Sequence, residues 1–150
     1  FGVLPAVVLV IALGLFAGLH LWLKHSRLGR TIVATADDHE VVQLLGVNYR
    51  SIYNVATGIA LALSAIAGVL LGMFLGVSSY SAGPLTASAF SIVVLGGLGS
   101  VSGSLIAAYV VGYLETVTAY MISPAYRVIP ALLLLVAVMY LRPRGLLGRR

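Results

Sequence analysis

The 150 residues are 61% hydrophobic and 9% charged, with a formal net charge of +5 and a mean hydropathy of +1.10. An ordinary soluble domain is about 25% charged, so this composition excludes both a water-soluble globular fold and a disordered chain. From Ser51 to Leu114 the chain runs 64 residues without Asp, Glu, Lys or Arg, and its basic residues sit at the ends of apolar runs. That is the pattern of an integral membrane protein, not of a nucleic-acid binder. The absence of cysteine removes disulfides and thiolate metal sites.

The chain starts at Phe1, and Gly2 to Leu23 is apolar except for His20. At 1.5 Å per residue this run covers roughly 33 Å, enough for a hydrocarbon core. A secretory signal would carry its positive charge before the apolar run. Here Leu21-Trp22-Leu23 is followed by Lys24 and Arg27, so the run reads as a span of a longer protein leaving the membrane on the cytoplasmic side.

In the loop that follows, Thr31 to Ala36 can form a short helix. Asp37 and Glu40, three residues apart, read as the cap of a second one. Val41, Leu44 and Leu45 then fall at i, i+3 and i+4 as one apolar patch, and Gly46 stands where a helix end takes a left-handed residue. A helix this short is not stable alone. It needs a surface to dock on: the membrane, the protein's own helix ends or a groove on a soluble partner. His39 beside Asp37 and Asp38 is not expected to bind metal, since adjacent residues on one cap do not converge.

Ile52 to Val77 is the second span. Along it Ala56, Ala60, Ser64, Gly68, Gly72 and Gly76 recur every four residues, a stripe that lets another helix backbone approach closely. Ser78 to Pro84 is a turn cluster. Leu85 to Leu98 is a third apolar run of only 14 residues, short for a span and compatible with a half-helix. Gly96, Gly97, Gly99, Ser100 and Gly103 break the chain after it. The break has neither the lysine of a phosphate loop nor the third glycine of a dinucleotide loop, so its serines are expected to satisfy freed backbone groups.

Leu105 to Ile122 forms the fourth span and carries Glu115, the one acid inside the apolar region. On a helix Glu115 is placed with Ala108, Gly112 and Ala119, opposite Tyr109, Tyr113 and Tyr120. It is therefore expected to face protein, as a hydrogen-bonded structural acid or as a functional group, with no basic partner at its depth. Val128 to Leu141, with Pro130 in its first turn, is the fifth. Four basic residues lie in 24–50 and four follow Leu141, namely Arg142, Arg144, Arg149 and Arg150. Five crossings put both groups on the cytoplasmic side. The fold class is an all-α polytopic bundle forming one transmembrane domain over 1–150. It has no nucleophile–base pair, metal motif or cofactor motif.

Together, Gly29-Arg30-Thr31, Ala36-Asp37-Asp38-His39-Glu40, Leu44-Leu45-Gly46-Val47-Asn48, Val94-Leu95-Gly96-Gly97-Leu98-Gly99-Ser100 with Gly103, Tyr126-Arg127 and Leu141-Arg142-Pro143-Arg144-Gly145-Leu146 resemble the permeases of branched-chain amino-acid ABC transporters. The H-type subunit is resembled slightly more than the M-type. The resemblance spans about Ser26 to Arg149 and implies the C-terminal portion of a permease about twice this length. It implies a multi-pass protein of a bacterial or archaeal inner membrane, paired with a second permease subunit. Such a pair takes substrate from a periplasmic binding protein and is driven by separate cytoplasmic ATP-binding subunits.

Carried over, Arg30 to Asn48 is the segment coupled to the ATPase, with Arg30, Asp37, Asp38, Glu40, Val41, Leu44, Leu45 and Gly46 as candidate residues. The Gly96–Gly103 break belongs to the translocation region, where Glu115 is placed with it. Ser64, Gly68, Gly72 and Gly76 serve helix packing. A ribose-type sugar permease, a membrane-embedded enzyme and a non-transporting scaffold are the competing readings.

Overall fold

The computed structural model describes residues 2–147; Phe1, Arg149 and Arg150, which the sequence reading used, lie outside them. Seven α-helices and two short 3-10 turns account for the regular structure of the described residues. The chain divides after Val77 into two compact units.

In the first unit, α1 (Val3–His25) ends where Ser26 turns extended, and α2 (Arg27–Asp37) folds back against it. The fold-back is tight: a Cβ on Gly29 would stand 2.5 Å from Leu23 Cα. Arg30 Nε donates to the Lys24 carbonyl at 3.1 Å, satisfying one of the acceptors that a helix end leaves open. α2 is longer than the expected Thr31–Ala36: it starts directly after Ser26, whose carbonyl accepts from the Arg30 amide at 3.0 Å, and the Thr31 and Thr35 hydroxyls bond back to the carbonyls of Arg27 and Thr31. α3 (His39–Leu44) and α4 (Tyr49–Leu75) complete the unit, both packed against α2.

In the second unit a 3-10 turn over Ser79–Ser81 leads into α5 (Ala82–Gly96). The expected turn cluster is thus largely helical, with Pro84 in the first turn of α5, where proline needs no N–H partner. α6 (Val101–Met121) begins four residues earlier than expected, since Ser100 caps it and shortens the break to Gly97–Ser100. A 3-10 turn at Pro124–Tyr126 joins it to α7 (Ile129–Leu141), with Pro130 in the first turn as expected. The core of the unit is Leu95, Ala107, Val111 and Ala131, where α5, α6 and α7 meet.

Four helical runs are long and apolar enough to cross a membrane: Val3–His25, Tyr49–Leu75, Val101–Met121 and Pro124–Leu141. α5, the expected third crossing, has 15 residues, roughly 22 Å of helix and less than a hydrocarbon core. Large apolar side chains face outward along all these helices, among them Val10, Val69, Phe90 and Leu133, as suits a lipid surround.

Candidate functional site

The segment between α1 and α4 is built around two chain reversals. Asp38 is the only extended residue between α2 and α3, and its Oδ1 accepts from the Glu40 and Val41 amides at 3.0 and 3.3 Å. The cap is therefore Asp38, not Asp37. Asp37 remains in the last turn of α2, and the shift puts Glu40 at the second helical position, so the expected reciprocal capping box does not form.

At the other end Gly46 has φ +76, its amide donates to Gln43 O at 3.0 Å, and the Val47 amide donates to Val42 O at 3.4 Å. This paired closure is the Schellman arrangement, and it requires the left-handed residue that Gly46 supplies. Asn48 caps α4 through its Oδ1 and the Arg50 amide.

Between these reversals Val42 is buried and seats α3 on its own unit, while Val41, Leu44 and Leu45 are 51, 87 and 76% exposed. The expected patch exists and points away from the unit that carries it. Arg30, by contrast, is engaged with the end of α1, and Thr35 is buried.

Along α4, Ser64 and Gly68 are uncovered, and a Cβ at Gly68 would meet nothing within 4 Å. A Cβ at Gly72 would meet only the Val77 side chain, at 3.6 Å. Gly76 does not continue the stripe: at φ +73 it terminates the helix.

In the second unit the glycine break is a close crossing. A Cβ on Gly96 would lie 2.5 Å from the Ser104 Cα and N, and one on Gly103 would collide with the Gly96 carbonyl. Ser100 Oγ accepts from the Gly103 amide at 3.1 Å and Ser104 Oγ donates to Ser100 O at 3.0 Å, so these two serines satisfy the freed backbone, while Ser102 is exposed. Gly97 and Gly99 carry the reversal with φ of +87 and +89. The chain after α7 returns to this place. Gly145 is buried against Gly97, and the Leu146 amide donates to Leu95 O at 2.8 Å. The sequence pattern held no sign of that return.

Glu115 is 7% exposed and shares its row with Gly103, Ala107 and Val111, the buried side of α6. Tyr109, Tyr113 and Tyr120 are uncovered, as expected, but so is Gly112, which the helical wheel had put beside Glu115. The correction follows from the i+4 row of small residues that packs on α5 and α7. Glu115 does have a basic partner. Arg127 Nη2 approaches its Oε2 at 3.3 Å, and the Ser88 hydroxyl of α5 donates to Oε1. The carboxylate thus joins α5, α6 and the turn before α7. Among the described residues no group of three or more His, Asp or Glu side chains is placed to hold a metal ion.

Residues 1–139 match the family described as branched-chain amino acid transport system / permease component. The chain is 33% identical over 147 residues to the high-affinity branched-chain amino acid transport system permease protein LivH of Escherichia coli (strain K12), covering 97% of this chain and 48% of that protein. It is 38% identical over 144 residues to the corresponding permease protein BraD of Pseudomonas aeruginosa, covering 95% and 47%. It is 25% identical over 141 residues to the probable branched-chain amino acid transport permease protein LivH of Methanocaldococcus jannaschii, covering 89% and 45%. The chain spans about half the length of the curated relatives it matches. No solved structure matches it. The chain belongs to this permease family and is a multi-pass membrane protein.

Proposed function

We propose, taking membership of this permease family as the premise, that the chain is the C-terminal portion of a transmembrane permease subunit in an ATP-driven importer of branched-chain amino acids, and that α3 is where it meets the ATPase. The observation that carries the reading is the outward-facing Val41, Leu44 and Leu45 on a six-residue helix. That helix is closed at both ends by capping, seated by Val42, and set between two helices long enough to cross a membrane.

A helix held this firmly, with its apolar face left uncovered, suits docking into a groove on another protein. Covering three such side chains removes on the order of 200 Å² of apolar surface, about 5 kcal/mol at ~25 cal/mol/Å². Association costs of roughly 4–15 kcal/mol consume that gain, so the contact transmits movement and leaves the main attachment to other surfaces.

In this reading α5, although short, serves as the fifth crossing, so that 24–50 and the end of the chain face the cytoplasm, and the membrane is the inner membrane of a bacterium or archaeon. The whole of 1–150 belongs to one transmembrane domain. Partners are cytoplasmic ATP-binding subunits, a second permease subunit and a binding protein on the opposite side. Asp38 and Gly46 shape the coupling helix, with Asp37, Glu40 and Arg30 supporting the loop. The Gly96–Gly103 crossing and Glu115 belong to the translocation region, and the uncovered Ser64–Gly72 face of α4 packs on a further helix of the complex. The relatives are named for branched-chain amino acids, which favours that substrate class over sugars.

The experiment is site-specific photocrosslinking from position 44 in the full-length permease assembled with its ATPase. The reading expects an adduct with the ATP-binding subunit. Adducts with lipid alone would refute it.

A further inference from the structure

Helix α7 poses a problem of attachment. Ile129–Met139 contains no polar side chain, and in lipid such a helix has no hydrophobic drive toward an apolar protein face, only van der Waals packing. Its inner side buries Ala131 fully, with Leu134 and Val138 packed beside the Leu95, Ala107 and Val111 cluster, while Leu132, Leu133, Val136 and Met139 remain uncovered. Its polar attachments lie at its two ends. Before it, Arg127 reaches Glu115 at 3.3 Å, and Glu115 is held in turn by Ser88 of α5. After it, Gly145 sits on Gly97 and the Leu146 amide donates to Leu95 O at 2.8 Å.

We propose that these two end fastenings hold α7 to the α5–α6 hairpin, and that they act as one device: releasing the Arg127–Glu115 pair unseats the tail at the far end of the helix. The link is mechanical. Thirteen helical residues make a stiff rod roughly 20 Å long, so a rod freed at one end pivots about the other and levers the seat there. The far seat is closely fitted. A Cβ on Gly145 would already stand 2.5 Å from the Gly97 backbone, and a hydrogen bond of 2.8 Å weakens steeply once its geometry opens. The near fastening is the one a single side chain can release. Removing Arg127 leaves Glu115 with Ser88 alone and cuts the side-chain link between α6 and the turn that leads into α7.

The test is amide hydrogen exchange of the full-length permease in lipid nanodiscs, read on the peptide containing Leu146. In Arg127→Gln, exchange of that peptide rises roughly tenfold, the loss expected for one charge-assisted hydrogen bond, while the 101–115 part of α6 stays as protected as in the parent. Arg127→Lys, which keeps a cation, shows a smaller rise. An unchanged tail in Arg127→Gln overturns the proposal, and so does a rise shared equally by α5 and α6, since α7 would then have no separate fastening. Should Arg127→Gln fail to accumulate, Glu115→Gln, which removes the charge that Arg127 pairs with, is read on the same peptide: a severalfold rise supports the device, and unchanged exchange overturns it.

Discussion

Glycine 103 and glycine 112 lie on one helix, and the same substitution at the two should give opposite results. At Gly103 a new Cβ runs into the Gly96 carbonyl and comes within 2.9 Å of the Ser100 hydroxyl that caps α6. Backbone cannot yield as a flexible side chain does, so α5 and α6 must separate, loosening contacts around Leu95 and Ala107. Overpacking of this kind costs about 1–3 kcal/mol, and disturbing the Ser100 cap adds up to ~1 kcal/mol. At Gly112 a Cβ meets nothing within 4 Å, and alanine favours the helix by up to ~1 kcal/mol. Thermal denaturation of the purified full-length permease in lipid or mild detergent reads the difference. Gly103→Ala should lower the midpoint by several degrees, and Gly112→Ala should leave it unchanged or raise it. Equal effects, or a tolerated Gly103→Ala, would refute the close crossing.

Glu115→Leu removes the acceptor for both Ser88 and the 41%-exposed Arg127 and should cost about 2 kcal/mol for the two lost hydrogen bonds, whereas Glu115→Gln keeps an acceptor and should cost nearer ~1 kcal/mol. Melting midpoints should therefore fall in the order parent, Gln, Leu, and a Leu variant as stable as the Gln one would contradict the cluster. Gly46→Val meets no steric obstacle at its Cβ but must hold φ near +76, a cost of roughly 1–2 kcal/mol. ATP hydrolysis stimulated by the loaded binding protein should drop while hydrolysis by the isolated ATPase is unaffected. For sidedness, a cysteine at exposed Gln43 should react with a membrane-impermeant maleimide only in inverted vesicles; reaction in intact cells from outside would reverse the topology.

The membrane class, four of the five expected spans and the reversal at Gly46 were legible because they rest on composition, periodicity and the demand of one backbone angle. Helix ends were less so. Two adjacent aspartates compete for one cap, and the pattern cannot say that α2 keeps Asp37 while Asp38 turns extended. The face of Glu115 was half right. A helical wheel identifies opposite sides, as the uncovered tyrosines show, but Gly112 stands only one residue from the buried row, and a wheel cannot tell which neighbour of a row is covered.

Arg127 was not legible as the basic partner of Glu115, because the two are separated by a turn containing Pro124. Only a long side chain reaching back across that turn joins them. The return of the tail to Leu95 rests on one backbone hydrogen bond between residues 51 positions apart, for which residue types carry no signal.

The central claim is that the exposed face of α3 transmits ATP hydrolysis to transport, and its most direct test is Leu44→Asp in the full-length permease, reconstituted in proteoliposomes with its ATPase and binding protein. Leu44 is 87% exposed, so the charge is not buried and its folding penalty is confined to the helix-end dipole, up to ~1 kcal/mol. ATP-dependent uptake of labelled leucine and stimulated ATP hydrolysis should fall together, with binding-protein docking on the opposite side unchanged. Undiminished uptake and hydrolysis in a variant that docks its binding protein normally would contradict the account.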